Sequence, residues 1–135
     1  MLAACLATSA AQGRDYAVGQ IWSYRTRPGE EASRILIDKI EDHAKLGHIF
    51  HISIADVKIQ NGLAPGGYSY SLPHLPVSQR TMDTSVVALV GQGGPNPAFE
   101  EGYAQWKPAF DAGKAGIWTI TLSGIVGVVE KGLNQ

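Results

Sequence analysis

The strongest constraint on this chain is a set of three segments, all within residues 20–59, in which apolar and polar side chains alternate. An alternation with a period of two is typical of β-strands, because successive side chains point to opposite faces of a sheet. The three predicted strands cover residues 20–27, 33–42 and 48–59, with only short links between them. Strands joined by short links pair in antiparallel fashion. The sequence therefore predicts an antiparallel meander, to which residues 68–72 add a short fourth strand.

The rest of the chain predicts helices and one more strand. Ser78 suits the N-cap of a helix that ends at Gly91 and whose apolar face carries Met82, Val86, Leu89 and Val90. Residues 96–97, Asn-Pro, predict the start of a second helix. Residues 117–122 predict a last strand, and Ser123 the N-cap of a terminal helix. The predicted class is α+β: an antiparallel meander sheet of four to five strands with two or three helices packed on one face.

The second predicted helix carries four aromatic residues spaced three or four apart, which places them on one face. They are Phe99, Tyr103, Trp106 and Phe110. Such a face normally packs into the core, and if exposed it marks a partner surface. Pro108 is expected to kink or shorten the helix, because its ring clashes with a carbonyl of the preceding turn.

The first 13 residues, MLAACLATSAAQG, are uncharged and mostly small and apolar, which is typical of the end of an export signal. Cleavage after Ala10 or Ala11 fits a signal peptide, whereas residues 2–5 (LAAC) resemble a lipobox, in which the cysteine is lipidated. A cytoplasmic chain with an unstructured start is the alternative. We predict that residues 1–15 are a leader or lipoprotein-type linker with Cys5 as a candidate lipidation site. Residues 16–135 are then a single domain in the periplasm or cell envelope.

The composition of the chain argues against nucleic acid and against a membrane-spanning segment. The chain has 135 residues, a formal net charge of −1 and only 17% charged residues, so it lacks the basic surface by which proteins bind nucleic acid. No segment has the roughly 18 consecutive apolar residues that span a bilayer. Membrane association is therefore expected only through a lipid on Cys5. With a single cysteine, the chain has no internal disulfide.

The sequence contains none of the strong motifs of catalysis or cofactor binding, such as a nucleophile elbow or a P-loop. The glycines of residues 91–94 follow a predicted helix, whereas a dinucleotide loop follows a strand. His48 and His51 lie three residues apart on a predicted strand and so face opposite sides, which disfavours a shared metal. A zinc site requires His51 and His74 to meet a carboxylate such as Asp56. We expect neither a cofactor nor a metal.

Four side chains are candidate ligand contacts. Arg25 and Arg27 share one face of the first strand and together suit a carboxylate or phosphate, although pairing with acids such as Glu30 is the structural alternative. His51 has small neighbours on its face of the third strand, which leaves room for a helix or a pocket. His74 lies between two prolines, just before a helix start whose free amides suit an anion. The structural alternative for His51 is a hydrogen-bonded histidine of the core, and for His74 it is a surface histidine in a rigid turn.

Three segments resemble a family of small, exported bacterial α+β domains of uncharacterised activity. They are residues 21–31 (IWSYRTRPGEE), 49–54 (IFHISI) and 74–78 (HLPVS), and the most specific is the W-x-Y-x-T-R-P-G-E-E pattern that begins at Trp22. The resemblance covers most of residues 20–122. It implies no catalytic residue, but it favours His51, His74 and the Arg25 to Arg27 segment as the site.

From these observations the sequence predicts a non-catalytic, envelope-associated binding or interaction domain. Its partner is expected to be a protein or a small anionic ligand, and not a nucleic acid. The alternative is a small hydrolase or anion-binding protein in which His51, His74, Arg25 and Arg27 converge on one pocket.

Overall fold

The computed structural model describes residues 14–135, so Cys5 and the predicted cleavage sites lie outside the described residues. The predicted α+β class is confirmed. In chain order the elements are β1 (Gln20–Tyr24), β2 (Arg34–His43), β3 (Gly47–Gln60), β4 (Tyr68–Ser78), α1 (Gln79–Ser85), β5 (Val86–Gln92), α2 (Phe99–Asp111) and α3 (Leu122–Leu133). The strand order is β4-β3-β2-β1-β5, and all neighbouring pairs are antiparallel.

The central strand β3 is covered on both faces, since residues 49–54 are all buried. Phe50, Ile52 and Ile54 belong to the main apolar core, which α1 and α3 close with residues such as Met82 and Ile125. Side chains alternate along a strand, so His51 and Ser53 point the other way. The ring of His51 contacts α2 there. In this single domain, α1 and α3 therefore pack on one face of the sheet, and α2 packs on the other face.

The predicted helix from Ser78 to Gly91 is wrong in its second half. Ser78 caps α1 as expected, because its hydroxyl accepts from the Thr81 amide, but α1 ends at Ser85. Residues 86–92 form β5, which pairs with β1. The β-branched side chains of Val86, Val87 and Val90 favour a strand. The open edge of β1 supplies the pairing partner, so tertiary contacts override the helical spacing.

The predicted last strand, residues 117–122, is reduced to a single bridge between Trp118 and Val77. Leu122 is already the first residue of α3, whose N-cap is Thr121 and not Ser123. Predicted boundaries at the other helix also shift, since α2 begins at Phe99 and runs through Pro108 to Asp111. No helix within residues 14–135 combines the length and the apolar character needed to cross a bilayer.

Candidate functional site

Two histidines from neighbouring strands form a hydrogen-bonded pair on the α2 face of the sheet. The antiparallel register of β3 and β4 pairs His51 with Pro76 and the next residue, Ile52, with Leu75. This register brings His74 beside His51, with Nδ1 of His51 lying 2.9 Å from Nε2 of His74. The two ring planes are inclined by only 12°. The structure thus brings together two of the four candidate residues.

Glu41, on β2, binds the other side of His51. Its Oε1 lies 2.6 Å from Nε2 of His51, and its Oε2 accepts from the Tyr103 hydroxyl at 3.0 Å. Lys107 of α2 adds an ion pair to Oε2 at 3.7 Å. We call the hydrogen-bonded series Tyr103, Glu41, His51 and His74 the Glu41 network. It connects three strands of the sheet to α2.

The positions of the protons in the Glu41 network follow from its acceptors. An ionised carboxylate can only accept, so the proton between Glu41 and His51 lies on Nε2 of His51. Nδ1 of neutral His51 is then an acceptor, and Nε2–H of His74 donates to it. The remaining nitrogen, Nδ1 of His74, faces the backbone of α2, where a Cβ added to Gly102 would lie 3.3 Å from it.

Burial keeps both histidines neutral. Loss of solvation lowers the pKa of His51 in spite of the nearby Glu41. It also lowers the pKa of His74 to about 4, with a further contribution from His51. Burial pushes the pKa of Glu41 upward, but hydrogen bonds from Tyr103 and His51 outweigh it, and the pKa of Glu41 falls below its usual value. Burial and the bond to Glu41 raise the pKa of Tyr103 to about 12. The network therefore carries one negative charge, on Glu41.

Three residues of the aromatic face of α2 pack on the histidine pair and not into the main apolar core, whereas Phe110 packs on His43. Phe99 is buried, and the other three aromatic residues of the helix are half-buried. The ring centroid of His51 lies 4.9 Å from those of both Tyr103 and Trp106, in edge-to-face geometry. Trp106 also stacks on Phe110 at 4.4 Å. The stripe predicted from sequence is therefore real, but its partner is a polar pair.

Gly102 allows α2 to approach the histidine pair closely. A Cβ at this position would lie 2.7 Å from Cβ of His74. We expect Gly102→Ala to destabilise the fold by about 1–2 kcal/mol, because the clash outweighs the roughly 1 kcal/mol by which alanine favours a helix. Gly127→Ala in α3, where nothing lies within 4 Å, should stabilise by about 0.5–1 kcal/mol. Urea unfolding of both variants measures the difference, and equal effects would contradict the close packing.

Acidification is expected to destabilise the fold through His74. The pKa of His74 is about 4 in the folded protein against 6.5 for a free histidine. Between these two pH values the unfolded chain binds more protons. The free energy of unfolding is therefore intact above the higher value and falls as the pH drops toward the lower one. Because His74 is half-buried, we expect a loss of about 1–2 kcal/mol.

Urea unfolding at about pH 7 and about pH 4.5 measures this loss. In His74→Gln, whose amide also donates to His51, the difference between the two conditions should shrink by that amount. A pH dependence identical to that of the unchanged protein would contradict the assignment.

The structure does not bring the two arginines to the histidine pair. Arg27 donates to both carboxylate oxygens of Glu30 at 2.9 and 2.8 Å and to Glu130 of α3 at 2.8 Å. Arg25 donates to the carbonyl of Thr84 in α1 at 2.9 Å. Both residues engage the face that carries α1 and α3, whereas the histidines face α2. The pocket of four converging residues, which the alternative hypothesis from the sequence requires, is therefore not formed.

A cleft of about 420 Å³ opens between β2 and α2. We call it the α2 cleft, and its lining is Asp38, Lys39, Pro95, Phe99, Glu100, Tyr103 and Ala104. Its volume lies within the roughly 300–1,000 Å³ usual for small-molecule sites. Neither histidine lines it, but Tyr103 belongs both to the cleft and to the Glu41 network. The network therefore fixes one wall of the cleft.

Asp38 lies at an irregularity of β2, where the pairing with β3 shifts by one residue. It is 4% exposed, and its Oδ1 accepts from the backbone N–H of Asn96 at 2.8 Å. Its Oδ2 is buried and has no hydrogen-bond partner among residues 14–135. Burial raises the pKa of Asp38, and the Asn96 amide and the nearby Ser53 hydroxyl offset part of this.

Metal ligation finds no support in the part of the chain that the structure describes. No group of three or more His, Cys, Asp or Glu side chains there is arranged to hold a metal ion. In the Glu41 network, hydrogen bonds occupy both ring nitrogens of His51. Asp56, the carboxylate considered with these histidines, is exposed at a left-handed turn of β3 with φ of 61°.

Three site residues escaped the reasoning from sequence: Asp38, Glu41 and Tyr103. Glu41 had a usable signal, because a tight link between β2 and β3 pairs it with Ile49, two residues from His51 on the same face. Tyr103 was assigned to the core. Comparison with known proteins identifies no relative: no family model, no curated protein and no solved structure matches this chain.

Proposed function

We propose that the protein is an exported, envelope-associated and non-catalytic binding domain that holds a small ligand in the α2 cleft. The observation that carries the proposal is the cleft itself, with apolar walls from Pro95, Phe99 and Tyr103 and a few charged groups at its lining. Small-molecule sites combine such walls with a small number of placed polar groups. Export rests on the leader-like residues 1–13 and on the family resemblance.

The Glu41 network supports binding without chemistry. A catalytic base needs a nitrogen within hydrogen-bond reach of a substrate. Both nitrogens of His51 are bonded, and the remaining one, Nδ1 of His74, faces the backbone of α2 at Gly102. Phe99, Tyr103 and Trp106 pack against the pair, in which His51 is fully buried and His74 half-buried. In this arrangement the histidines position α2, and α2 forms one wall of the cleft.

A small hydrolase is the second candidate, because a carboxylate in series with two imidazoles is able to move a proton. This candidate requires a substrate to reach Nδ1 of His74 beside α2. It no longer includes the arginines, since Arg25 and Arg27 are engaged on the opposite face.

A fragment screen on the uniformly ¹⁵N-labelled chain tests the binding function. Small aromatic and aliphatic compounds of mixed charge should shift the amide signals of Lys39, Phe99 and Tyr103 as a group, and should be recovered unchanged. Ala104→Phe fills the cleft and should abolish these shifts, whereas Gln105→Phe, on the same helix outside the cleft, should leave them. Shifts that cluster elsewhere, or no shifts, would overturn the binding proposal. Turnover that is lost in His74→Gln would instead favour the hydrolase.

Mass spectrometry of the mature protein from its native host tests export. A chain that begins at an acylated Cys5, or just after Ala10 or Ala11, supports an envelope location. A mature chain that retains Met1 would contradict it.

A further inference from the structure

Asp38 is the most unusual group at the α2 cleft. Its carboxylate is almost wholly buried, yet one of its two oxygens has no partner among the described residues. The structural task of Asp38, which is to hold the loop before α2 through the Asn96 amide, uses only Oδ1. An asparagine side chain would do this equally well. A buried acceptor without a partner costs free energy, so a purely structural role does not explain a carboxylate here.

The charges at the cleft favour a positively charged ligand. Asp38 and Glu100 are acidic, and Lys39 is the one basic residue of the lining. Glu41 adds a nearby negative charge behind Tyr103. The Lys39 ammonium makes no ion pair within residues 14–135 and instead lies 5.3 Å from the ring centroid of Tyr103. The face of this ring therefore already accepts a cation, and an arriving cation would compete with Lys39 for it.

We propose that the α2 cleft selects small molecules that carry a protonated primary amine on an apolar body, with Asp38 as the carboxylate that receives the amine. The inference rests on the proposed function and names its ligand class. Oδ2 of Asp38 gains the hydrogen-bond donor that it lacks. Phe99 and Pro95 contact the apolar part, and the ring of Tyr103 faces the ammonium group. This ligand has the opposite charge to the anion expected from the sequence.

Three matched probes test the selectivity at about pH 7.5: 2-phenylethylamine, the neutral 2-phenylethanol and the anionic 3-phenylpropanoate. Titration of the amide signals that line the cleft should show the amine binding about tenfold or more tightly than either analogue, which corresponds to about 1.4 kcal/mol. Asp38→Asn should weaken binding of the amine to the level of the alcohol and leave binding of the alcohol unchanged. Lys39→Gln removes the competing cation and should increase the affinity for the amine severalfold.

The stability of Asp38→Asn separates a binding role from a structural one. If Asp38 is retained for a ligand, the variant should unfold at the same temperature as the unchanged protein or at a higher one, because a buried charge is removed. A large fall would assign Asp38 to the fold and overturn the inference. Equal binding of amine and alcohol would also overturn it and leave the proposed function standing. If none of the three probes binds while other fragments of the screen bind in the cleft, the ligand class is wrong and the binding function stands. If no fragment of the screen binds in the cleft, both the ligand class and the binding function are overturned.

Discussion

Replacing Arg27 with methionine is expected to destabilise the fold by about 3–5 kcal/mol, because it leaves a buried carboxylate without its partner. Glu30 is 5% exposed and is bound by two donors of Arg27 and by the backbone N–H of Lys58. Arg27 also binds Glu130, which in turn accepts from the amide of Gln60. One guanidinium therefore connects the loop after β1 to the end of β3 and to α3.

The pKa directions agree with this role for Arg27. Burial pushes the pKa of Glu30 upward, but the bonds from Arg27 and from the Lys58 amide hold it below its usual value. The bond to Glu30 raises the pKa of Arg27 in spite of its partial burial. Both groups are therefore charged in the folded protein, and the charge on Glu30 depends on its partner.

Arg25→Met is the matched control for Arg27→Met. Arg25 lies two residues away and is exposed, and within residues 14–135 its side chain makes one hydrogen bond, to the Thr84 carbonyl. We expect its replacement to change the free energy of unfolding by about 0.5 kcal/mol or less. Urea unfolding of the two variants measures both effects, and similar losses would contradict the buried role of Glu30.

His51→Ala is expected to destabilise the protein by about 3–4 kcal/mol, through a buried cavity and through the bonds that the ring makes. His51 is fully buried between the sheet and α2. Its removal leaves Oε1 of Glu41 and Nε2 of His74 without their partners. It also withdraws the ring on which Tyr103 and Trp106 pack. We expect α2 to loosen first, since Tyr103 and Trp106 of this helix pack on the ring.

His48→Ala provides the matched control on the same strand. His48 is exposed, pairs with the exposed Asp42 at the surface and lies edge-to-face at 6.1 Å from the ring of Phe50, so its loss should cost less than about 1 kcal/mol. Hydrogen exchange of the α2 amides gives a second readout. Protection should fall across α2 in His51→Ala and stay unchanged in His48→Ala. Unchanged protection in both variants would contradict a role for His51 in holding α2.

The meander was predictable because local pattern and final environment agree along β1 to β3. Alternation, short links and the apolar content of β3 all favour the same sheet. The strand β5 at residues 86–92 was not predictable in this way, because the spacing of Val86, Leu89 and Val90 fits one face of a helix as well as a strand. Only the open edge of β1, a tertiary feature, decides between them.

The geometry of the candidate site also depends on tertiary contacts that the sequence pattern does not contain. Residue type was enough to select His51 and His74 as candidates, but their contact depends on the register of β3 with β4 and on an extension of β4 through Pro73 and Pro76. The role of Asp38 depends on the irregularity in β2, which also turns Ile40 toward the apolar core. Strict alternation from Ile35 and Ile37 would place Ile40 on the opposite face of β2.

We propose that His51 and His74 are a neutral, hydrogen-bonded pair that holds α2 over the sheet, so that α2 forms one wall of the binding cleft, and that the pair performs no catalysis. Long-range ¹⁵N–¹H correlation spectra of the imidazole rings test it most directly. At neutral pH both rings should be uncharged with the proton on Nε2, and His74 should titrate with a pKa of about 4. A His74 ring that is protonated near neutral pH, or that carries its proton on Nδ1 with Nε2 free, would contradict the claim and favour the hydrolase.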